Sequence, residues 1–246
     1  MTIIKNIPII SKDDFQIIQE ENNTFAIQFS NYNSEAIIKS ITKTRIILGA
    51  TATDNYQTLI FKASSVKSLQ QFKEEQFKIT GSHSLPPNLV AKLAADLGRQ
   101  ILYLLEQYYM TIIGVASENV IVINETNFIY LSCEYLEKIN QNSNTFMMCF
   151  PVDPFTFYVA PELLNVKELP SYVNYKTSYF SFGCLLLYAL LENNEFYNEY
   201  IKENDTLRHK KIIEYLNRLS IRGTKLYWFI ERCLVIEPEN RSILFI

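Results

Sequence analysis

The stretch Thr177 to Leu191, TSYFSFGCLLLYALL, is apolar around almost its whole circumference. A helix sustains that only where neighbouring elements cover every side. The run contains Gly183 and falls short of the ~20 residues that cross a bilayer. It therefore reads as the axis of a helical core, and any fold of this chain must wrap around it.

What surrounds it changes character along the sequence. Before residue 62, short apolar runs alternate with turn residues: Thr24 to Phe29, then Ala36 to Lys39 after Asn31-Tyr32-Asn33-Ser34, then Arg45 to Leu48 and Gln57 to Phe61. Such runs predict about five antiparallel strands. From Leu89 to Tyr108, Leu93, Leu97, Ile101 and Leu105 recur at helical spacing behind Pro86-Pro87, which predicts one long amphipathic helix. Val120 to Ile123 and Phe128 to Leu131 flank Asn124-Glu125-Thr126-Asn127 as a hairpin, followed by an irregular segment to Tyr158. Two more helices are expected, from Asp205 through Leu219 and from Thr224 through Ile236 before Pro238. Strands first and helices afterwards make an α+β chain, with a reduced β-rich part over residues 1–62 and a mainly helical part over 63–246.

Composition bounds the function. With 246 residues, 48% hydrophobic and 20% charged, the chain suits one compact unit. A net charge of −3 and a pI near 5.6 argue against a nucleic-acid surface. Lys5, Pro8, Lys12, Asp13 and Asp14 interrupt any apolar leader, so the expected location is intracellular, with no membrane partner. Cys133, Cys149, Cys184 and Cys233 are far apart with no CxxC pair, and read as reduced core thiols. His83 and His209 lie in polar stretches and read as surface residues. The aromatics Phe155, Phe157, Tyr158, Tyr179, Phe180 and Trp228 have no basic interleaving and read as core.

Three motifs go further. Ala160-Pro161-Glu162, then Tyr179-Phe180-Ser181-Phe182-Gly183, then Cys233-Leu234 through Pro238 to Arg241 stand in an order and spacing that resembles the large lobe of a protein kinase. The resemblance covers roughly residues 15–246 and implies a two-lobe fold. In its register Ala36-Ile37-Ile38-Lys39 is similar to the third-strand VAIK motif, which would put Lys39 on nucleotide phosphates. A rival register uses Lys62, and Lys39 reads equally well as a strand-end surface lysine. Only six residues, Ser40 to Arg45, separate this motif from the next strand, so the family's helix C is expected to be missing. Glu20-Glu21-Asn22-Asn23 takes the position of the Gly-rich loop without a glycine. Ile112 to Asn119 resembles the catalytic loop, with Gly114 in place of the base, Ala116 in place of the lysine, and Asn119 where the second magnesium ligand stands. Asn119 also reads as a local backbone cap. Ser132-Cys133-Glu134 replaces DFG, and Ser178 replaces the aspartate that anchors the loop. Glu162 and Arg241 match a pair that ties the large lobe together, a contact suited to arginine's fork.

The resemblance thus implies a scaffold kept and a chemistry lost: a pseudokinase acting as a binding or regulatory module for another protein. ATP and magnesium are the cofactors the family would allow, with none required. An atypical active kinase using Glu134, Glu118 or Asp153 is the first alternative. The wording of the chain also resembles degenerate kinase-like proteins of large DNA viruses, which implies a host cytoplasm or virion and leaves a purely structural viral protein as the second alternative.

Overall fold

The structure is a computed structural model that describes residues 8–30, 33–203 and 205–244, with the backbone alone at 205 and 206. The chain is α+β. Its first part is an antiparallel sheet built from β1 (Pro8–Ser11), β2 (Phe15–Gln19), β3 (Thr24–Phe29), β4 (Thr51–Ala52) and β5 (Thr58–Lys62), in the order β1-β2-β3-β5-β4. Alternation fixes its buried face. Phe15 pairs with Phe29, Ile17 with Ile27, Phe25 with Phe61 and Ile27 with Leu59, and all of these side chains are buried. Gln16 and Gln28 meet on the other face, 2.7 Å apart.

Two expected strands of this region are not strands. Ala36 to Lys39 lies inside helix α1 (Ser34–Lys43), and Ile46 to Leu48 lies in turns. A helix therefore stands between β3 and the next strand, and the expectation of a missing helix is overturned. The isoleucines suggest a strand by their β-branching. Yet Ile37, Ile38 and Ile41 recur at i, i+1 and i+4 and are fully buried, which only a helix allows. Glu35 and Lys39 form an i,i+4 pair on the solvent side at 2.6 Å. The hydroxyls of Ser40 and Thr42 donate to Ile37 O and Ile38 O, so these weak helix formers cost little.

The remaining chain begins with β6 (Val66–Ser68) and α2 (Leu69–Thr80), which opens on a capping box between Ser68 and Gln71. Then comes α3 (Pro87–Tyr103), extended by a π-helical turn Leu104–Tyr108. Helix α1 packs on α3 and on that turn, so the sheet is bound to the helical part through its own helix. Next are β7 (Met110–Ile112), β8 (Val120–Ile123) and β9 (Asn127–Tyr130), with β6-β8-β9 forming a small sheet. α3 closes the edge of β9 with side chains one turn apart. Phe128 N donates to Asp96 at 3.1 Å, and Gln100 pairs with both Tyr130 N and Tyr130 O, at 2.9 and 2.7 Å. Asp96 is fully buried and paired with Lys92 and Arg99.

The segment expected to be irregular carries β10 (Leu136–Lys138), which pairs with β7, and β11 (Thr145–Met148), which pairs with β12 (Ser171–Asn174) beyond the short α4 (Pro161–Leu164). Helix α5 (Thr177–Leu190) follows, buried at every position except Tyr188. It packs directly on α3 and on α8 (Lys225–Cys233) and meets α6 (Glu195–Lys202) through the rings of Phe180 and Tyr200, while α7 (Asp205–Arg218) packs on α6 and α8. A Cβ on Gly183 would lie 2.8 Å from Cys233 Cβ, so glycine is what lets α8 approach this closely. One apolar core runs without interruption from Ile10 and Phe15 to Leu234 and Ile243.

Three minor expectations are corrected by burial. Cys149 is exposed, whereas the other three thiols are buried. Phe155 and Trp228 stand 78% and 50% exposed and leave the aromatic core. His209 is half-buried, with burial holding its pKa below the usual imidazole range. Among the described residues, no helix is long and apolar enough to cross a membrane.

Candidate functional site

Three backbone segments converge where the sheet meets the helices: the β1–β2 turn, the loop from Ile113 to Asn119, and Ser132-Cys133-Glu134 after β9. The loop is fixed at both ends and in the middle. Ile113 N donates to Tyr135 O at 2.8 Å, Leu131 N donates to Asn119 O at 3.1 Å, and Val115 N donates to Ser181 Oγ at 2.7 Å. Ser178, expected to replace the anchoring aspartate, donates instead to Tyr175 O in its own helix turn. Ser181, one turn further along α5, supplies the anchor.

Gly114 has no room for a side chain. A Cβ built there would sit 1.6 Å from the Phe157 ring, which is 5% exposed and packs on Tyr135 at 4.9 Å. The segment carrying that ring is tied to α6. Val159 N donates to the Tyr197 hydroxyl at 2.7 Å, that hydroxyl lies 2.9 Å from Phe157 O, and the Tyr200 hydroxyl donates to Val159 O at 3.0 Å. Ala116 joins the same small core as Phe157.

Asn119 is 6% exposed and lies beside the Tyr130 hydroxyl, which is 3.5 Å from Gly114 O. That tyrosine is 1% exposed. Its pKa is driven upward by burial. The phenol therefore stays neutral, and Asn119 is buried against it.

Lys39 lies elsewhere. On α1 it contacts Glu35, with its Nζ 4.7 Å from the Tyr56 ring centroid and Tyr108 nearby. None of these residues belongs to the loop that carries Asn119. The Glu35 hydrogen bond is the main cause of its raised pKa. The register that made Lys39 the third-strand lysine is thus corrected. The buried face of β3 presents Phe25, Ile27 and Phe29, and Lys62 of the rival register is exposed. Glu20 to Asn23 is also displaced from its expected place, being the turn between β2 and β3, with Asn22 and Asn23 at φ of 58° and 56°.

The turn between β1 and β2 is Lys12-Asp13-Asp14. Asp14 Oδ2 accepts from Cys133 N at 2.6 Å and from Ser132 Oγ at 3.0 Å, while Ser132 Oγ accepts from Glu134 N at 3.2 Å. Lys12 Nζ lies 2.6 Å from Glu118. On its other side the turn is held by Ser30, whose N donates to Asp14 O and whose hydroxyl donates to Asp13 O.

Of the carboxylates considered for the alternative chemistry, Glu118 is paired with Lys12 and Asp153 accepts from Phe155 N at 2.9 Å in its own turn. Glu134 is exposed at the rim of a cavity of about 360 Å³ that Asp153 also lines. Among the described residues, no group of three or more His, Cys, Asp or Glu is placed to hold a metal ion.

Glu162, at the start of α4, meets Arg241 in a two-pronged contact, Nη1 to Oε1 at 2.5 Å and Nη2 to Oε2 at 2.8 Å. The guanidinium also donates to the carbonyls of Val235, Ile236 and Lys176 and lies over Phe180 at 5.1 Å.

Phe157, Ser181 and the pair Lys12 and Asp14 escaped the sequence reading. Only Ser181 carried a signal, as a second hydroxyl on the face that Ser178 occupies. Comparison with known proteins finds no family model that matches the chain, and no curated protein that matches it.

Proposed function

We propose that the chain is a degenerate protein-kinase-like protein that performs no phosphoryl transfer and acts as a binding or regulatory module for another protein. The element order supports this reading: the sheet β1-β2-β3-β5-β4 with α1 after β3, then a helical part built around α5 and closed by Glu162 and Arg241. The single observation that carries the loss of chemistry is the Phe157 ring in the space of any side chain at position 114. Phosphoryl transfer depends on a positioned base, a phosphate-binding cation and metal carboxylates. Here the Phe157 ring fills the space at position 114, where the resemblance puts the base, the inward strand positions are phenylalanine and isoleucine, and Asn119 is buried. These residues do not fit magnesium-ATP, and no step is derived through it.

The test is thermal unfolding of the full chain with millimolar Mg-ATP, together with radiolabel transfer to itself. The expected result is no shift and no incorporation. A ligand at 100 times its Kd would add about 2.7 kcal/mol, which is easily seen. Saturable, magnesium-dependent stabilisation, or labelling that disappears in Asn119→Ala, would overturn the proposal.

A further inference from the structure

We propose that the β1–β2 turn is a two-point latch that shuts the seam between the sheet and the Ser132–Glu134 segment against ligands until the turn lifts. The stronger point is Asp14. One carboxylate oxygen takes both a backbone N–H and a hydroxyl from residues 118 and 119 positions away in sequence. Charge-assisted bonds of this kind are about twice as strong as neutral ones. The acceptor also satisfies Cys133 N, on a residue that is 2% exposed. Without Asp14, that N–H and the Ser132 hydroxyl, on a residue 1% exposed, need water or another acceptor. The second point, Lys12 on Glu118, is the weaker one, because its side chains are 30% and 53% exposed and salt screens such pairs.

Among the described residues, no other hydrogen bond joins the tip of this hairpin to the segment after β9. The turn is short and β1 is the outer strand of its sheet, so apart from these two points lifting it has to break the two bonds that Ser30 donates to Asp13 O and Asp14 O. Opening would uncover the backbone of Ser132 to Glu134 without unfolding the core helices. The latch stands on these contacts alone and holds whether or not the chain descends from a kinase.

Hydrogen exchange of the full chain tests it. Asp14→Ala is expected to speed exchange of the Cys133 and Glu134 amides and of the β1–β2 hairpin by about 10-fold or more, since stability of local structure sets exchange protection. Lys12→Ala should change it by less than about 3-fold, an effect that added salt reproduces in the unaltered chain. Asp13→Ala is the control, because only the backbone of Asp13 takes part. If Asp14→Ala is too unstable to study, Asp14→Asn keeps an oxygen acceptor and should fall between the two. Unchanged exchange in both Asp14 variants, or equal acceleration in Asp13→Ala, would refute the latch. The same Asp14→Ala sample is titrated with Mg-ATP. Faster exchange without ATP binding supports both the latch and the non-catalytic reading, whereas faster exchange with binding keeps the latch and refutes that reading.

Discussion

Removing the Glu162 carboxylate should be among the costliest single changes the chain can undergo. Arg241 is 1% exposed and its fork is fully used, with two bonds to Glu162 and three to the backbone carbonyls of Val235, Ile236 and Lys176. Glu162→Ala leaves a buried guanidinium with its carbonyl partners but no counter-charge. Breaking a buried pair from one side costs about 3–5 kcal/mol. For a chain of this length each kcal/mol moves the melting point by about 2–4 °C, so a fall of roughly 6–20 °C is expected. Arg241→Lys should cost nearly as much, because one ammonium cannot reach the carboxylate and three carbonyls together. Arg241→Met removes the charge yet strands the same carbonyls. The double variant Glu162→Ala, Arg241→Met should therefore cost less than the sum of its singles by about 2–3 kcal/mol. Calorimetry or urea titration reads all four. A Glu162→Ala cost below about 1 kcal/mol would refute the reasoning, since that is the value of a solvated surface pair.

Two further outcomes follow from the packing. Gly114→Ala should destabilise by about 1–3 kcal/mol through overpacking against the Phe157 ring, and adding Phe157→Ala should relieve part of that cost, with urea unfolding as the measurement. Lys73 is 3% exposed, donates to Tyr188 O and Leu191 O at the end of α5, and burial lowers its pKa to about 8. Because the unfolded lysine keeps its proton to about pH 10.4, the unfolded state binds more protons in between, so this group's contribution rises with pH from about 8 to 10. Unfolding of the parent chain compared with Lys73→Met over that window should show the parent gaining relative stability, by up to about 3 kcal/mol; a flat difference would refute it. The comparison with the variant matters, because buried tyrosines such as Tyr158 and Tyr200, with pKa values raised by burial, push stability the opposite way at higher pH.

The parts of the fold that were legible share a physical cause. α5 and α3 are long enough for period and circumference to decide between helix and strand, and Glu162 and Arg241 belong to motifs whose spacing fixes them relative to α5. α1 was not legible because its ten residues include three isoleucines, whose branching suggests one period while their positions obey another. Resolving it requires the packing partner, α3, which lies far along the chain. That error moved Lys39 from a helix to a strand.

The site was harder to read for a different reason. Gly114, Ala116 and Ser132 are visible in sequence, but the groups that pack and bond against them are distant. A missing Cβ at Gly114 leaves a hole of defined shape, and close packing demands that something fill it; here a ring 43 positions later does so. The Ser132 hydroxyl and the Cys133 N–H need an acceptor, and Asp14, 118 and 119 positions earlier in the chain, supplies it. Both positions are thus held by partners far along the chain: a ring packs against Gly114, and a carboxylate fixes the hydroxyl of Ser132 and the backbone of Cys133. A larger side chain at Gly114 would have to displace the Phe157 ring, and a carboxylate at Ser132 would face the Asp14 carboxylate, so neither position accepts a charged residue unless its distant partner moves first.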